Sequence, residues 1–230
     1  MELVGPVAVG LSTWLGSFEL SGAELLPFTG PAILAVNHTS IADTPPVIAS
    51  LYRAGLRPSR RCAKGGCGST HGHIRFLATE VLFRHPILGP LVKHADFVPV
   101  GPGRSAKSAL QAGIDALRNG EIIGIYPEGD VAVDLSSDGS PRTFRIGVGR
   151  LALDTGATIV PVAHHDSRVF GTGTVSESLR TAATSVLRRP KVHIRVGRPI
   201  QAAEYAGRTL HETVTLIQER VTAVWRTLAG

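Results

Sequence analysis

Apolar residues along this chain gather in short dense runs, and between the runs they recur at helical spacing. The run "AILAV" at 32–36 stops abruptly at Asn37 and His38, as expected of a strand buried on both faces. Thr44 followed by Pro45 and Pro46 reads as a helix start, with an N-cap and proline in the first turn, and that helix ends near Gly55. "DFVPV" (96–100) is a further strand, and "GPGRSAKS" leads from it into a helix running to about Asn119. There Leu110, Ile114 and Leu117 share one face, and Gly120 stands at the stop. "EIIGIYPEG" (121–129) reads as strand then turn, "FRIGVGRLALDTGA" as a helix ending at Gly156, and "TIVPVAHH" and "KVHIRVG" as strands. Leu210, Val214, Ile217, Val221 and Trp225 place a core-covering helix over 210–228. Ser12 to Gly22 reads as strand material leading into a loop.

Buried strands alternating with helices predict a single α/β domain over 1–230, with a mixed, partly parallel central sheet flanked by helices. Active sites of such sheets gather beyond the carboxyl ends of the strands. Both "NHTSIAD" (37–43) and "YPEGD" (126–130) would sit there.

Composition alters this picture in a few places. A chain of 230 residues can build one sizeable core, and 43% hydrophobic residues with a mean hydropathy of +0.15 suit a folded protein. No uninterrupted apolar run reaches the ~20 residues of a membrane-spanning helix. The richest stretch, Leu3 to Phe18, is broken by glycines, Pro6 and hydroxyl residues, and Glu2 stands where a signal peptide carries positive charge. It reads as a buried element or as an interfacial N-terminal segment within 1–20. The net charge of +6 asks for an anionic partner, and arginine supplies 20 of the 24 basic residues. An aromatic content of 5%, with no stacking motif, argues against nucleic acid as that partner. Cys62 and Cys67 cannot form a disulfide framework and suit a reducing compartment.

His38 and Asp43 admit two readings. Asp43 or Thr44 caps the following helix while His38 packs in the turn, or the two form an acid/base pair. Histidine titrates near neutral pH and can take a proton from an attacking hydroxyl, and a neighbouring carboxylate fixes its tautomer and stabilises the imidazolium. In "GPGRSAKS", glycines between strand and helix leave backbone N–H groups for an anion, with Arg104 and Lys107 adding charge; the spacing is not that of a Walker loop. The segment 58–74 reads as an inserted Gly/Cys/His loop. Its Cys62, Cys67, His71 and His73 are zinc-capable, but C-x4-C-x3-H-x-H matches no common module, and the expectation is a surface loop without metal.

Four segments follow one another in order: "NHTSIAD", "FVPVGPGR" (97–104), "YPEGD" and "IVPVAHH" (159–165). Together with the connecting "GAELLPFTGPAILAVNH" and "TFRIGVGRLALDTGATIVPV", the chain resembles the glycerolipid acyltransferase family, typified by lysophosphatidate acyltransferases, over about residues 15 to 229. The resemblance implies an HX4D motif with His38 as general base and Asp43 as its orienting partner. It implies acyl transfer from acyl-CoA or an acyl carrier protein to a hydroxyl of a lysophospholipid-like acceptor, with no cofactor. Asn37, Arg104, Lys107, Pro127, Glu128, Gly129 and Arg145 are the implied substrate-binding residues. A carboxylate repels phosphate, so Glu128 would position a basic group or N–H donors; the alternative is a Pro-Gly turn with a solvated glutamate. Work at an anionic membrane surface is also implied, with the protein cytoplasmic and peripheral on the inner face.

The chain departs from the family pattern at two places. Asp130 and Val131 stand where the family has Thr-Arg, and Gly101, Pro102 and Gly103 intervene before Arg104. Those arginines are expected to grip glycerol phosphate, so the acceptor stays open, with Arg142 or Arg145 as stand-ins. A non-catalytic lipid-binding relative and a thioesterase-like hydrolase are the alternative functions.

Overall fold

The buried runs assemble edge to edge into one sheet covered by helices on both faces. A computed structural model describes residues 4–39, 43–56, 72–86, 88–101, 104–129, 140–165 and 191–230. In chain order the elements are helix α1 (Val4–Leu15), strand β1 (Ser17–Ser21), β2 (Ala32–Val36), α2 (Thr44–Arg53), β3 (Ile74–Thr79), α3 (Glu80–Arg84), α4 (Leu88–His94), β4 (Val98–Val100), α5 (Arg104–Arg118), β5 (Ile122–Ile125), α6 (Gly147–Thr155), β6 (Thr158–His165), β7 (Lys191–Val196), α7 (Ala202–Tyr205) and α8 (Leu210–Ala229). The strand order is β1-β7-β6-β2-β5-β3-β4. Neighbours run parallel throughout except β6 and β7, so the sheet is mixed and mostly parallel, in line with the pattern of buried runs.

The centre of the sheet explains why β2 is apolar without alternation. Ala32, Leu34 and Val36 pack into one core cluster with Val47, Ile48 and Leu51 of α2. Ile33 and Ala35 face the other cluster, with Ile114 and Leu117 of α5, Leu151 of α6, and Ile217 and Val221 of α8. The long α8 starts at a reciprocal cap: the Glu212 carboxylate accepts from the Thr209 N–H at 2.7 Å, and the Glu212 N–H donates to Thr209 Oγ1 at 3.3 Å.

Within β5, Gly124 lies under the ring of Phe76, where a Cβ would come within 2.5 Å of the ring edge. Phe76 is fully buried and lies beside Phe97 and Tyr126, at centroid distances of 5.5 and 6.1 Å. The ring cannot retreat without disturbing those neighbours. Gly124→Ala is therefore expected to destabilise the fold by about 1–3 kcal/mol, read as a lower urea midpoint with an unchanged slope.

Several boundaries differ from the sequence expectation. Val4–Leu15 is helical, and β1 begins only at Ser17; α1 packs on α2 and buries Ala8, so tertiary contact overrides the weak helix preference of its glycines and Pro6. Strand β3 was not expected. It extends the sheet beyond β5, and the Ile122 N–H donates to the His73 carbonyl at 3.0 Å. His73 and Ile74 thus belong to the sheet and not to the inserted loop, whose remaining residues, with Cys62, Cys67 and His71, lie outside the described ones. The helix expected from Phe144 starts at Gly147, because the buried Phe144 is held as a loop residue by its N–H bond to Gln218 Oε1 at 3.0 Å.

Candidate active site

Strands β6, β2 and β5 are neighbours and run parallel, so their carboxyl ends reach the same edge of the sheet. From β2 come Asn37, His38 and Thr39; from β5 the turn Tyr126–Gly129; from β6 His164. Asn37 is wholly buried and joins the first of these to the last. Its Oδ1 accepts from the His164 N–H at 2.8 Å, and its Nδ2 donates to the His164 carbonyl at 3.1 Å. The side-chain amide thus continues the β2–β6 ladder one step beyond the strand.

Asp43 occupies the N-cap position of α2, yet its carboxylate makes no capping bond. It turns instead toward the end of β2, and its side chain is fully buried. Oδ2 accepts from the Thr39 N–H at 2.7 Å and from Thr39 Oγ1 at 3.3 Å. His38 Nδ1 lies 3.3 Å from the same oxygen. A carboxylate is an acceptor, so Nδ1 carries the hydrogen, and Nε2 on the opposite side of the ring is left as the basic nitrogen. The Asp43 side chain thus does not cap α2 but lies against the His38 ring.

The plane of the imidazole is set from beneath. The His38 and Tyr126 rings stack at 4.1 Å with 21° between planes. Burial, and in addition the negative charge of Asp43, push the Tyr126 phenol well above its ordinary range, so it presents a neutral face.

Glu128 is buried, not solvated. Its Oε1 accepts the His38 N–H at 2.9 Å, and its Oε2 accepts Arg142 Nε–H at 3.0 Å. The Glu128 carbonyl accepts Arg145 Nε–H at 3.2 Å, and the Arg145 N–H donates to the Pro127 carbonyl at 2.8 Å. Gly129 closes the turn at φ +82°, where any Cβ would also run into the Arg145 side chain. The Glu128 carboxylate therefore ties the main chain of His38 to the Arg142 guanidinium, while its main-chain carbonyl holds Arg145.

Other residues named from the sequence sit elsewhere. Arg104 opens α5, Lys107 is exposed on it, and Pro102, Gly103, Asp130 and Val131 lie outside the described residues. His73 is buried at the opposite edge of the sheet, with Nδ1 3.2 Å from Glu121 Oε2. Among the described residues no group of three or more His, Cys, Asp or Glu is arranged to hold a metal. A groove of about 480 Å³ between the 143–146 segment and α8 includes neither His38 nor Asp43 in its lining. Sequence reasoning did not single out Tyr126 or His164. For His164, the one signal was that "VAHH" carries a polar residue straight after a run destined for the sheet centre.

A family model described as Acyltransferase matches residues 17–165. An uncharacterized protein of Mycobacterium leprae (strain TN) is 30% identical over 146 residues, 62% of this chain and 35% of that protein. The 1-acyl-sn-glycerol-3-phosphate acyltransferase of Borreliella burgdorferi is 28% identical over 164 residues, 70% of this chain and 57% of that protein. The matched part thus spans roughly a third to rather over half of these relatives. The crystal structure of the 1-acyl-sn-glycerophosphate acyltransferase PlsC from Thermotoga maritima shares the fold, with a TM-score of 0.70 and 19% identity, over 98% of this chain and 78% of that one.

Proposed function

This chain belongs to the acyltransferase family, and from that premise we propose that it moves a fatty acyl group from a thioester, acyl-CoA or an acyl carrier protein, to a hydroxyl of a lysophosphatidate-like acceptor. The reading rests on one observation: an imidazole whose Nδ1 faces a buried carboxylate, at the carboxyl edge of a mostly parallel sheet. His38 Nε2 takes the acceptor's hydroxyl proton as its oxygen attacks the thioester carbonyl. Asp43 holds the resulting imidazolium. On collapse of the tetrahedral intermediate the carbon–sulfur bond breaks, and the proton passes from Nε2 to the departing thiolate. No enzyme nucleophile is needed, because the acceptor alcohol fills that role.

Arg142 and Arg145, both anchored on Glu128, are the proposed grip for the acceptor's phosphate, in place of the arginine displaced by Asp130 and Val131. Arg104 and Lys107 at the start of α5 add positive charge for the phosphates of the donor or acceptor. An anionic membrane surface is the proposed workplace, with peripheral attachment on its inner face. No helix among the described residues is long and apolar enough to cross a membrane.

The test is thiol release from acyl-CoA with and without lysophosphatidate, with the lipid product followed by mass spectrometry. Release that requires the acceptor, with appearance of a diacyl product, is expected. Release without acceptor would instead make the protein a hydrolase, and none with any donor or acceptor would make it a lipid-binding relative.

A further inference from the structure

Asp43 serves a second imidazole besides His38. His164 Nε2 lies 3.3 Å from Asp43 Oδ2 and 2.7 Å from the Asn37 carbonyl oxygen, and its side chain is only 1% exposed. Both neighbours are acceptors. In either protonation state, therefore, His164 Nε2 carries a hydrogen, which it donates to the Asn37 carbonyl at 2.7 Å, and the polarised N–H lies 3.3 Å from Asp43 Oδ2. We infer that His164 is a positioning residue for acyl transfer, whose Nε2–H shares the Asp43 carboxylate with His38 and so keeps His38 neutral and basic at lower pH than the His38–Asp43 pair alone would.

The argument is one of competition for a single oxygen. Oδ2 receives His38 Nδ1, the N–H and hydroxyl of Thr39, and His164 Nε2. Each donor withdraws charge from the carboxylate and weakens its hold on an imidazolium at His38. Among the described residues, the segment before α6 brings Arg145, which donates to the Glu128 carbonyl. From the β5 turn, the Glu128 carboxylate is matched by Arg142, and Tyr126 presents a neutral phenol. His164 also grips the carbonyl of Asn37, whose side chain in turn grips the main chain of His164, so the donor cannot drift from the carboxylate.

This inference rests on the acyltransferase reading, but its test does not depend on it. Wild type, His164→Gln and His164→Leu are labelled with 15N-histidine, and the ring resonances of His38 are followed against pH, alongside acceptor-dependent thiol release where that occurs. In His164→Leu the His38 resonance and the acid-side fall of activity are expected to move up by about 0.5–1 pH unit. His164→Gln, whose amide replaces the lost donor, should return both toward wild type. An unmoved His38 titration in the leucine variant, with only stability or plateau rate reduced, would make His164 a structural clamp and overturn the proposal. Should the leucine variant fail to fold, the wild-type spectrum decides: a hydrogen on His164 Nε2 and a response at the His38 midpoint support the proposal, and the Nδ1–H tautomer or no response refutes it. Absence of acyl transfer in the wild type would remove the enzymatic reading and with it the catalytic purpose of His164, while the ring titrations still decide by themselves whether His164 acts on His38 through Asp43.

Discussion

His38→Ala is expected to reduce acyl transfer by about 10³-fold or more while the protein still folds. The loss follows if His38 is the proposed general base, at the upper end of what such a positioned group contributes. The fold survives because the imidazole is a minor structural support. Asp43 keeps the Thr39 N–H at 2.7 Å and His164 Nε2 at 3.3 Å, and the His38 main-chain bond to Glu128 does not involve its ring. What is lost is the stack on Tyr126, worth about 1 kcal/mol. His38→Gln is the sharper companion, since it fills the space without supplying a base. Initial rates of acceptor-dependent thiol release, with thermal melts on the same samples, test both variants. Substantial turnover in a folded His38→Ala protein would end the general-base assignment.

Glu128→Ala is expected to act on stability and activity together. Its carboxylate is buried and accepts a main-chain N–H on one oxygen and a guanidinium on the other. Truncation deprives a part-buried His38 N–H of its acceptor and leaves Arg142 without this counter-charge. Breaking such a pair from one side costs about 3 kcal/mol, more than an exposed ion pair ever contributes. For a chain of this size that corresponds to a melting temperature lower by roughly 6–12 °C. Because the Glu128 carboxylate anchors both the backbone of the proposed base and Arg142 of the proposed phosphate grip, the surviving folded fraction should show a raised KM for the acceptor as well as a lower kcat. Arg142→Ala should raise KM with a smaller effect on kcat. A Glu128→Ala protein with wild-type stability would show that the buried pair is dispensable.

Much of the architecture could be read from the chain because its centre is apolar in the simplest way. The five residues of β2 are all buried, and the run of prolines after Thr44 marks the start of α2 correctly. The His38–Asp43 pair was also legible, since both partners lie in one short loop. His164 was not. It sits 127 residues from Asn37, and only the register that pairs Val36 with Val162 brings it to Asp43. Tyr126 escaped notice because a residue ahead of a Pro-Glu-Gly turn reads as the end of a strand, and nothing local says which ring it will stack upon. At the N-terminal end, glycine and proline made α1 look unlike a helix, whereas packing against α2 decides its conformation. Local pattern found the elements, and long-range register decided which side chains meet.

The clamp between Asn37 and His164, and the bond from Glu128 to the His38 amide, have a consequence for how function is acquired. Each joins segments far apart in the chain, 127 residues in the first case and 90 in the second. A chain that has collapsed but has not yet docked β5 and β6 beside β2 owns every reactive group and none of their alignment. Alignment of the proposed site is therefore a property of the finished sheet: it is complete only when the last central strand has docked, however much helix has formed before.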